Sequence, residues 1–107
     1  MSTAPISLVV ITYNEASNIA RCLNSARSIV DEMLVVDSFS TDDTVAIAER
    51  EGARVIQHAV AGYIEQKRYA IEQARYDRVL LRDADEALDA SLQRMRQAPA
   101  PAQRRAT

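Results

Sequence analysis

YDRVLLRDADEALD, residues 76–89, joins a short apolar run to a cluster of acidic side chains. The run from Val79 to Leu81 has the length and composition of a buried strand, whereas unpaired acids cannot be taken out of water cheaply. Asp83 and Asp85 are two residues apart, so on extended backbone their carboxylates point the same way. The stretch therefore predicts a core strand that ends at a polar edge able to face a ligand.

The size and charge of the chain limit what it can be. Its 107 residues suffice for one domain, and 13 basic against 15 acidic residues leave a formal net charge of only -2. That balance gives no reason to expect nucleic-acid binding. No apolar run approaches the roughly 20 residues that span a bilayer, and the N-terminus lacks a secretory signal, so we expect no transmembrane segment and a cytoplasmic location. The lone Cys22 excludes an internal disulfide and offers no metal-ligand spacing.

Strand and helix patterns alternate along the chain. Apolar, β-branched runs predict four strands, at residues 6–12, 33–36, 54–57 and 78–81. Apolar side chains at three- and four-residue spacing predict helices between them, at residues 19–26, from about 45 to 51, and at 64–75. Ser17 or Asn18 is the expected N-cap of the first helix, and Ser40 with Asp43 resembles a capping pair for the second.

The alternation predicts the architecture. Strands that alternate with helices pair in parallel through right-handed crossovers, which gives an open, mostly parallel α/β sheet of about four strands with flanking helices. Acids follow the first, second and fourth strands but not the third, so we expect the strand order 3-2-1-4. Ligands of such sheets bind beyond the carboxyl ends of the strands, where the order reverses. One polar pocket at that edge is predicted.

The acids at this edge suit a metal and a nucleotide. A hard divalent cation such as Mg²⁺ or Mn²⁺ would accept the carboxylates of Asp83 and Asp85, with water and ligand phosphates completing its coordination. Helix capping is the alternative interpretation of that pair. Asp37, after the second strand, would accept hydrogen bonds from a base or ribose, or else form an Asx turn. Glu15 belongs either to the pocket or to the first turn of a helix.

Four segments together resemble a known family. They are ISLVVITYNEASNIARCLNSA (6–26), LVVDSFSTDDTVAIAEREGARVI (34–56), GYIEQKRYAIEQA (62–74) and RVLLRDADEAL (78–88). In order and spacing, across about residues 5–92, they look like the nucleotide-sugar half of family-2 glycosyltransferases, whose GT-A fold is Rossmann-like. The chain looks closest to the short bacterial members associated with lipopolysaccharide core glucosylation.

The resemblance implies a nucleotide-sugar site. Tyr13 and Glu15 match residues that family members place around the uridine, and Asp37 matches the acid that reads the base. Lys67 falls on the basic position of the family's G-x-x-x-Q-K-N pattern, near the nucleotide. The implied activity is transfer of a sugar from a nucleotide diphosphate sugar, UDP-linked, to a saccharide or lipid-linked acceptor.

The metal site follows from the same resemblance, with departures beside it. Asp83 and Asp85 match the D-x-D that holds ribose, diphosphate and Mg²⁺ or Mn²⁺. Arg82 stands where the family has an apolar residue, and a cation there competes with the metal. Arg68 replaces a usual Asn. Phe39 replaces a frequent Gly, a change that we expect the fold to tolerate.

The family continues beyond the D-x-D into a half that carries the acceptor site and the catalytic base. No residue of this chain matches that base, so no catalytic residue is assigned. We expect residues 1–97 to form the donor-binding half and residues 98–107 a disordered tail. A non-catalytic nucleotide-binding or partner-binding remnant is the alternative. The basic residues near the C-terminus suit either peripheral contact with the inner face of the membrane or, as we favour, a solvated tail.

Three further side chains receive structural interpretations. His58, the single histidine, is interpreted as a loop residue. Cys22 lies on the apolar face of a predicted helix and is expected in the core. Tyr69 is expected to cover the sheet, with stacking on a base as the alternative.

Overall fold

The structure, a computed structural model, describes residues 4–59 and 62–84. Within these residues, strands and helices alternate as β1 (Ile6–Thr12), α1 (Ile19–Ala26), β2 (Glu32–Asp37), α2 (Thr44–Arg50), β3 (Arg54–Gln57), α3 (Tyr63–Glu72) and β4 (Arg78–Asp83). Each element predicted in this part of the chain is present. The third helix ends at Glu72, earlier than the predicted residue 75.

The strands form one parallel sheet in the described part of the chain. Their order is β3-β2-β1-β4, as predicted from the distribution of acids. The central strand β1 pairs in parallel with β2 and with β4, and β2 pairs in parallel with β3. The chain adds β2 and β3 on one side of β1 and then adds β4 on the other side, so the strand order reverses between β1 and β4. Sheets of this type bind ligands at the carboxyl ends of the strands beside that reversal.

Both faces of the sheet are covered, which explains why β1 is apolar without alternation. On one face Leu8 and Val10 pack in a core with Cys22 and Leu23 of α1. On the other face Val9 belongs to a second core with Ile71 of α3. The core position expected for Cys22 is confirmed, since its side chain is buried. The sheet thus gives the loops at its carboxyl edge a rigid base.

The helix starts differ from the predicted caps. Asn18 is the N-cap of α1, but its side chain makes no capping bond and instead donates to Glu15 Oε1 at 3.1 Å. The predicted Ser40–Asp43 pair is wrong. Ser40 Oγ donates to Asp37 at 2.5 Å, and the backbone N–H of Thr44 donates to Asp42 Oδ1 at 3.0 Å. The serine that local spacing assigned to the helix therefore bonds back to Asp37, three residues earlier at the end of β2.

Glu32 ties together the amino edge of the sheet. Its side chain, only 8% exposed, accepts hydrogen bonds from Ser7 Oγ at 2.7 Å and from the backbone N–H of Arg75 at 2.8 Å. The guanidinium of Arg54 forms an ion pair with the other carboxylate oxygen at 2.7 Å. Burial raises the pKa of Glu32, but the bonds from Arg54, Ser7 and Arg75 outweigh burial and lower the pKa below its ordinary value. Strands β1, β2 and β3 and the α3–β4 connection meet at this carboxylate.

Several sequence-based predictions fall on residues that the structure does not describe. They are the helix containing Leu88, Leu92 and Met95, the tail at 98–107 and the second acid of the D-x-D, Asp85. Among the helices that are described, none has the length and apolar character needed to cross a membrane.

Candidate functional site

The strand register brings the predicted site residues to one edge. Thr12, the last residue of β1, pairs with Asp37, and Ile11 pairs with Asp83 on the other side. Tyr13 follows β1 directly and is 57% exposed. Asp83 ends β4 and is exposed. Side chains from three neighbouring strands therefore meet at the carboxyl edge, as the sequence predicted.

Asp37 lies beneath this edge and is fully buried. Its Oδ1 accepts hydrogen bonds from Thr12 Oγ1 at 2.6 Å and from Ser40 Oγ, and its Oδ2 accepts from the Ser40 backbone N–H at 2.8 Å. Burial raises the pKa of this carboxyl, but hydrogen bonds from Ser40, Thr12 and Gln57 together outweigh burial and lower the pKa. Asp37 is therefore ionised at neutral pH and holds the loop after β2 against β1. Its assignment as a base-reading residue stays a prediction.

Asn14 joins the loop after β1 to the loop after β2 through a set of hydrogen bonds, which we call the clasp. Its side-chain Oδ1 accepts from the backbone N–H groups of Thr41 at 2.8 Å and Asp42 at 3.4 Å, and its own backbone N–H donates to Ser40 Oγ at 2.8 Å. Asn14 has a φ of 53°, a left-handed conformation that asparagine tolerates better than most residues. The clasp explains why an asparagine occupies this strained position.

Asp42 and Thr44 complete the clasp one turn further on. Thr44 Oγ1 donates a short hydrogen bond to Asp42 and accepts from the Glu15 backbone N–H at 2.8 Å. Asp42 Oδ2 accepts from the Ala16 N–H at 3.2 Å. The hydrogen bond from the Thr44 hydroxyl is the main reason that the pKa of Asp42 is lowered. The two loops thus form one hydrogen-bonded unit.

Glu15 was interpreted either as a pocket residue or as an acid in the first turn of a helix, and the structure shows features of both. Its backbone carbonyl accepts from the N–H groups of Asn18 and Ile19, which starts the turn into α1. Its side chain is half-buried and holds the Asn18 amide. These contacts favour a role in shaping the loop, and contact with uridine stays a prediction.

Gln66 anchors the start of α3 to the same edge. It is 1% exposed, and its amide nitrogen donates to Ser38 Oγ at 3.0 Å and to the His58 carbonyl at 3.1 Å. The amide oxygen therefore faces His58 Nδ1 at 2.8 Å. Because an amide oxygen can only accept a hydrogen bond, Nδ1 is the ring nitrogen that donates. The His58 ring stacks on Tyr69, with centroids 3.6 Å apart. His58 therefore lies in the loop after β3, as predicted, and contacts with Gln66 and Tyr69 hold its ring there.

Lys67 follows this anchor and borders a cavity of about 260 Å³ between α3 and β4. Its other walls are Ile64, Arg68 and Leu81, and Leu81 lies two residues before Asp83. The two cations, Lys67 and Arg68, therefore stand near the carboxyl end of β4. The predicted contact of Lys67 with the nucleotide stays a prediction.

The described residues fit a metal that is shared with a ligand. No group of three His, Cys, Asp or Glu side chains suited to a metal occurs in residues 4–59 and 62–84. Mg²⁺ and Mn²⁺ sites that include substrate phosphates need only one or two protein carboxylates. The exposed carboxylate of Asp83 at the end of β4 meets that requirement. A dedicated metal cage is not what these residues build.

Sequence reasoning missed the hydrogen bonds that organise the site. Asn14, Ser40, Asp42, Thr44 and Gln66 hold the loops together through the hydrogen bonds described above. The high density of Ser, Thr, Asn and Asp in residues 38–44 signalled hydrogen-bonded turns. It did not reveal that several of their partners lie in the loop after β1.

A parallel sheet with polar loops at the β1–β4 reversal is the architecture of an open α/β domain, a class whose ligands bind at that point. Residues 7–98 match the family model described as glycosyl transferase family 2. The chain belongs to this family, which confirms the family resemblance and the predicted fold class. Its resemblance to lipopolysaccharide core enzymes stays a prediction.

Relatives from bacteria support the same assignment. An uncharacterized glycosyltransferase of Rickettsia felis is 54% identical over 88 residues, which cover 82% of this chain and 31% of that protein. One from Rickettsia conorii is 50% identical over 91 residues, 85% of this chain and 32% of its own length. The chain thus spans about a third of the length of these relatives.

Solved structures show the same fold. Glucosyl-3-phosphoglycerate synthase from Mycobacterium tuberculosis, in complex with uridine diphosphate, has a TM-score of 0.70 at 30% identity, covering 78% of this chain and 34% of its own. The same enzyme has also been solved with Mn²⁺, uridine diphosphate and glucosyl-3-phosphoglycerate, with a TM-score of 0.69 at 28% identity over 78% of this chain and 36% of that one. Mannosyl-3-phosphoglycerate synthase from Rubrobacter xylanophilus gives 0.71 at 25% identity, covering 80% and 32%.

Proposed function

We propose that the carboxyl edge of this sheet binds the donor of a glycosyl transfer reaction, a uridine diphosphate sugar, together with a divalent metal ion. The observation that carries the proposal is the register that places Asp83 beside β1, across from the hydrogen-bonded loops after β1 and β2. Family membership and the uridine diphosphate and Mn²⁺ held by a similar enzyme support it. The acceptor, a saccharide or lipid-linked saccharide, belongs to the same proposal.

Each residue of the edge has a separate part in donor binding. Tyr13 offers an exposed ring to the uridine, and Lys67 offers a positive charge to the diphosphate. Asp83, with Asp85, would hold Mg²⁺ or Mn²⁺, which neutralises negative charge on the diphosphate as it leaves. Asp37 and Asn14 keep the two loops in position, so that the donor meets a site formed in advance.

The opposite edge of the sheet offers a less suitable site. A cavity of about 290 Å³ there is bordered by Arg27 and Arg54. Both of these charges are already paired, Arg27 with Glu51 at 2.9 Å and Arg54 with Glu32 at 2.7 Å. A third arginine, Arg75, lines the cavity together with the acids Asp31 and Glu32. A phosphate would have to compete with both carboxylates. The carboxyl edge is therefore the better site for a nucleotide.

Metal dependence tests the proposal. We expect uridine diphosphate to bind in Mg²⁺ or Mn²⁺ and to bind much more weakly when the metal is chelated, because the acids then repel the phosphates. Asp83→Asn should weaken binding in metal by about tenfold or more, because even the loss of a residue that only supports a metal ligand has an effect of about that size. Without metal the same variant should bind no worse than the unmodified chain. Calorimetry with and without chelator measures all of these.

A matched control removes one charge elsewhere. Glu49→Gln changes an exposed acid on α2 and should leave both affinities unchanged. Equal affinity of the unmodified chain with and without metal would show that Lys67 or Arg82, rather than a metal, carries the phosphates. Failure of the chain to bind uridine diphosphate under either condition would refute the proposal.

A further inference from the structure

Phe39 combines two unfavourable features at the carboxyl edge. Its φ is 56°, in the left-handed region that is strained for a bulky residue. The residue is 60% exposed, although its side chain is large and apolar. The backbone is held in place, because the Phe39 N–H donates to Gln57 Oε1 at 2.8 Å. A glycine would adopt this conformation without strain and would expose no apolar ring.

The fold explains the comparable strain at Asn14 but not the ring of Phe39. Within the described residues, Asn14 and Phe39 are the non-glycine positions with positive φ. The Asn14 side chain accepts hydrogen bonds from Thr41 and Asp42, which only a polar side chain could do. The Phe39 ring belongs to neither of the two cores. Strain that packing does not require is typical of residues that contact a ligand.

The order of strand ends shows which part of a nucleotide the ring would meet. Along the edge, β1 lies between β4, which carries Asp83, and β2, which leads into Phe39. Neighbouring strands are about 4.8 Å apart, so the ends of β4 and β2 are about 10 Å apart. An extended nucleoside diphosphate spans such a distance. If the phosphates lie with the metal at Asp83, the base reaches the end of β2.

We propose that Phe39 is a further donor-binding residue whose ring contacts the planar base of the nucleotide, on the β2 side of the exposed ring of Tyr13. This inference rests on the proposed donor site and deepens it. Contact between an aromatic side chain and a base strengthens binding without hydrogen bonds. The ring therefore acts on the base, while Lys67 and Asp83 act on the diphosphate.

Phe39→Gly should separate binding from stability. We expect it to weaken uridine diphosphate binding by about tenfold, the effect typical of losing one base-aromatic contact. Affinity for inorganic pyrophosphate, which has no base, should not change. The melting temperature should be at least that of the unmodified chain, because glycine relieves the left-handed strain. Calorimetry with both ligands in Mg²⁺, and thermal unfolding followed by circular dichroism, provide the measurements.

Two variants serve as controls. Phe39→Tyr keeps the ring and should bind uridine diphosphate like the unmodified chain. Asn14→Gly relieves the same backbone strain but loses the clasp, so its melting temperature should fall. Equal affinity of Phe39→Gly and the unmodified chain for uridine diphosphate would overturn this inference alone. An equal loss of pyrophosphate affinity would also overturn it, whereas failure of the unmodified chain to bind any nucleotide would refute the donor site itself.

Discussion

Replacement of Asp37 by alanine is expected to lower the free energy of unfolding by about 3 kcal/mol, the scale for removing a buried charged acceptor. The buried carboxylate accepts hydrogen bonds from Thr12, Ser40 and Gln57. Without it, the Ser40 N–H and two hydroxyl groups lose their acceptor. The loop that carries Phe39 then loses its attachment to β1, so uridine diphosphate binding should weaken more than tenfold. Chemical denaturation and calorimetry measure the two effects.

Asp37→Asn removes the negative charge of the side chain while keeping its volume. The amide fills the same space but replaces one acceptor oxygen with a donor, so most of the destabilisation should remain. Full stability of this variant would contradict the role given to the charge.

Acid titration provides a second check on Asp37. Since its pKa is lowered in the folded chain, its contribution is complete above the ordinary carboxyl value of about 4. The contribution is lost as the pH falls through the folded pKa. The stability difference between the unmodified chain and Asp37→Ala should therefore be constant near neutral pH and shrink in acid. A difference that grows in acid would contradict this account.

Glu32→Ala is expected to destabilise the chain by about 2 to 3 kcal/mol. Its side chain is 8% exposed and accepts bonds from Ser7, Arg75 and Arg54. Because Arg54 is 43% exposed, solvent screens its part of the interaction. The larger share comes from the Ser7 hydroxyl and the Arg75 N–H, which lose a buried acceptor. Chemical denaturation at neutral pH measures the change.

Glu32 and Asp37 form a matched pair at the two ends of β2. Glu32→Ala should leave uridine diphosphate affinity unchanged at temperatures where the variant is folded, because Glu32 lies at the amino edge. Asp37→Ala should weaken both stability and binding. Weakened binding in the folded Glu32 variant would show that the nucleotide does not sit at the carboxyl edge alone.

The sequence predicted the sheet well because its signals are local. The apolar runs and the helical spacing are each recognised within a few residues. The acids after β1, β2 and β4 were then the basis for predicting the strand order. The capping prediction for Ser40 failed because its hydroxyl and its N–H bond to the Asp37 carboxylate, three residues before it, rather than to the first turn of α2. Local rules assign a serine before a helix to that helix.

The sequence predicted where the site lies but not the hydrogen bonds that hold its loops in position. The strand ends predicted where Tyr13, Asp37 and Asp83 would meet, because parallel strands share one carboxyl edge. Gln66 could not be found in this way. Its hydrogen bonds to Ser38 and His58 depend on how α3 packs against the sheet, which residue spacing does not specify.

Paramagnetic Mn²⁺ tests the central claim most directly. An isotope-labelled chain would be titrated with Mn²⁺ in the presence of uridine diphosphate, and amide signals followed by nuclear magnetic resonance. We predict that broadening begins at Asp83 and at the loop after β1, reaches the loop after β2 more weakly, and spares Glu32 and Arg54 at the amino edge. Broadening centred on the amino edge, or a pattern that uridine diphosphate does not alter, would contradict the account.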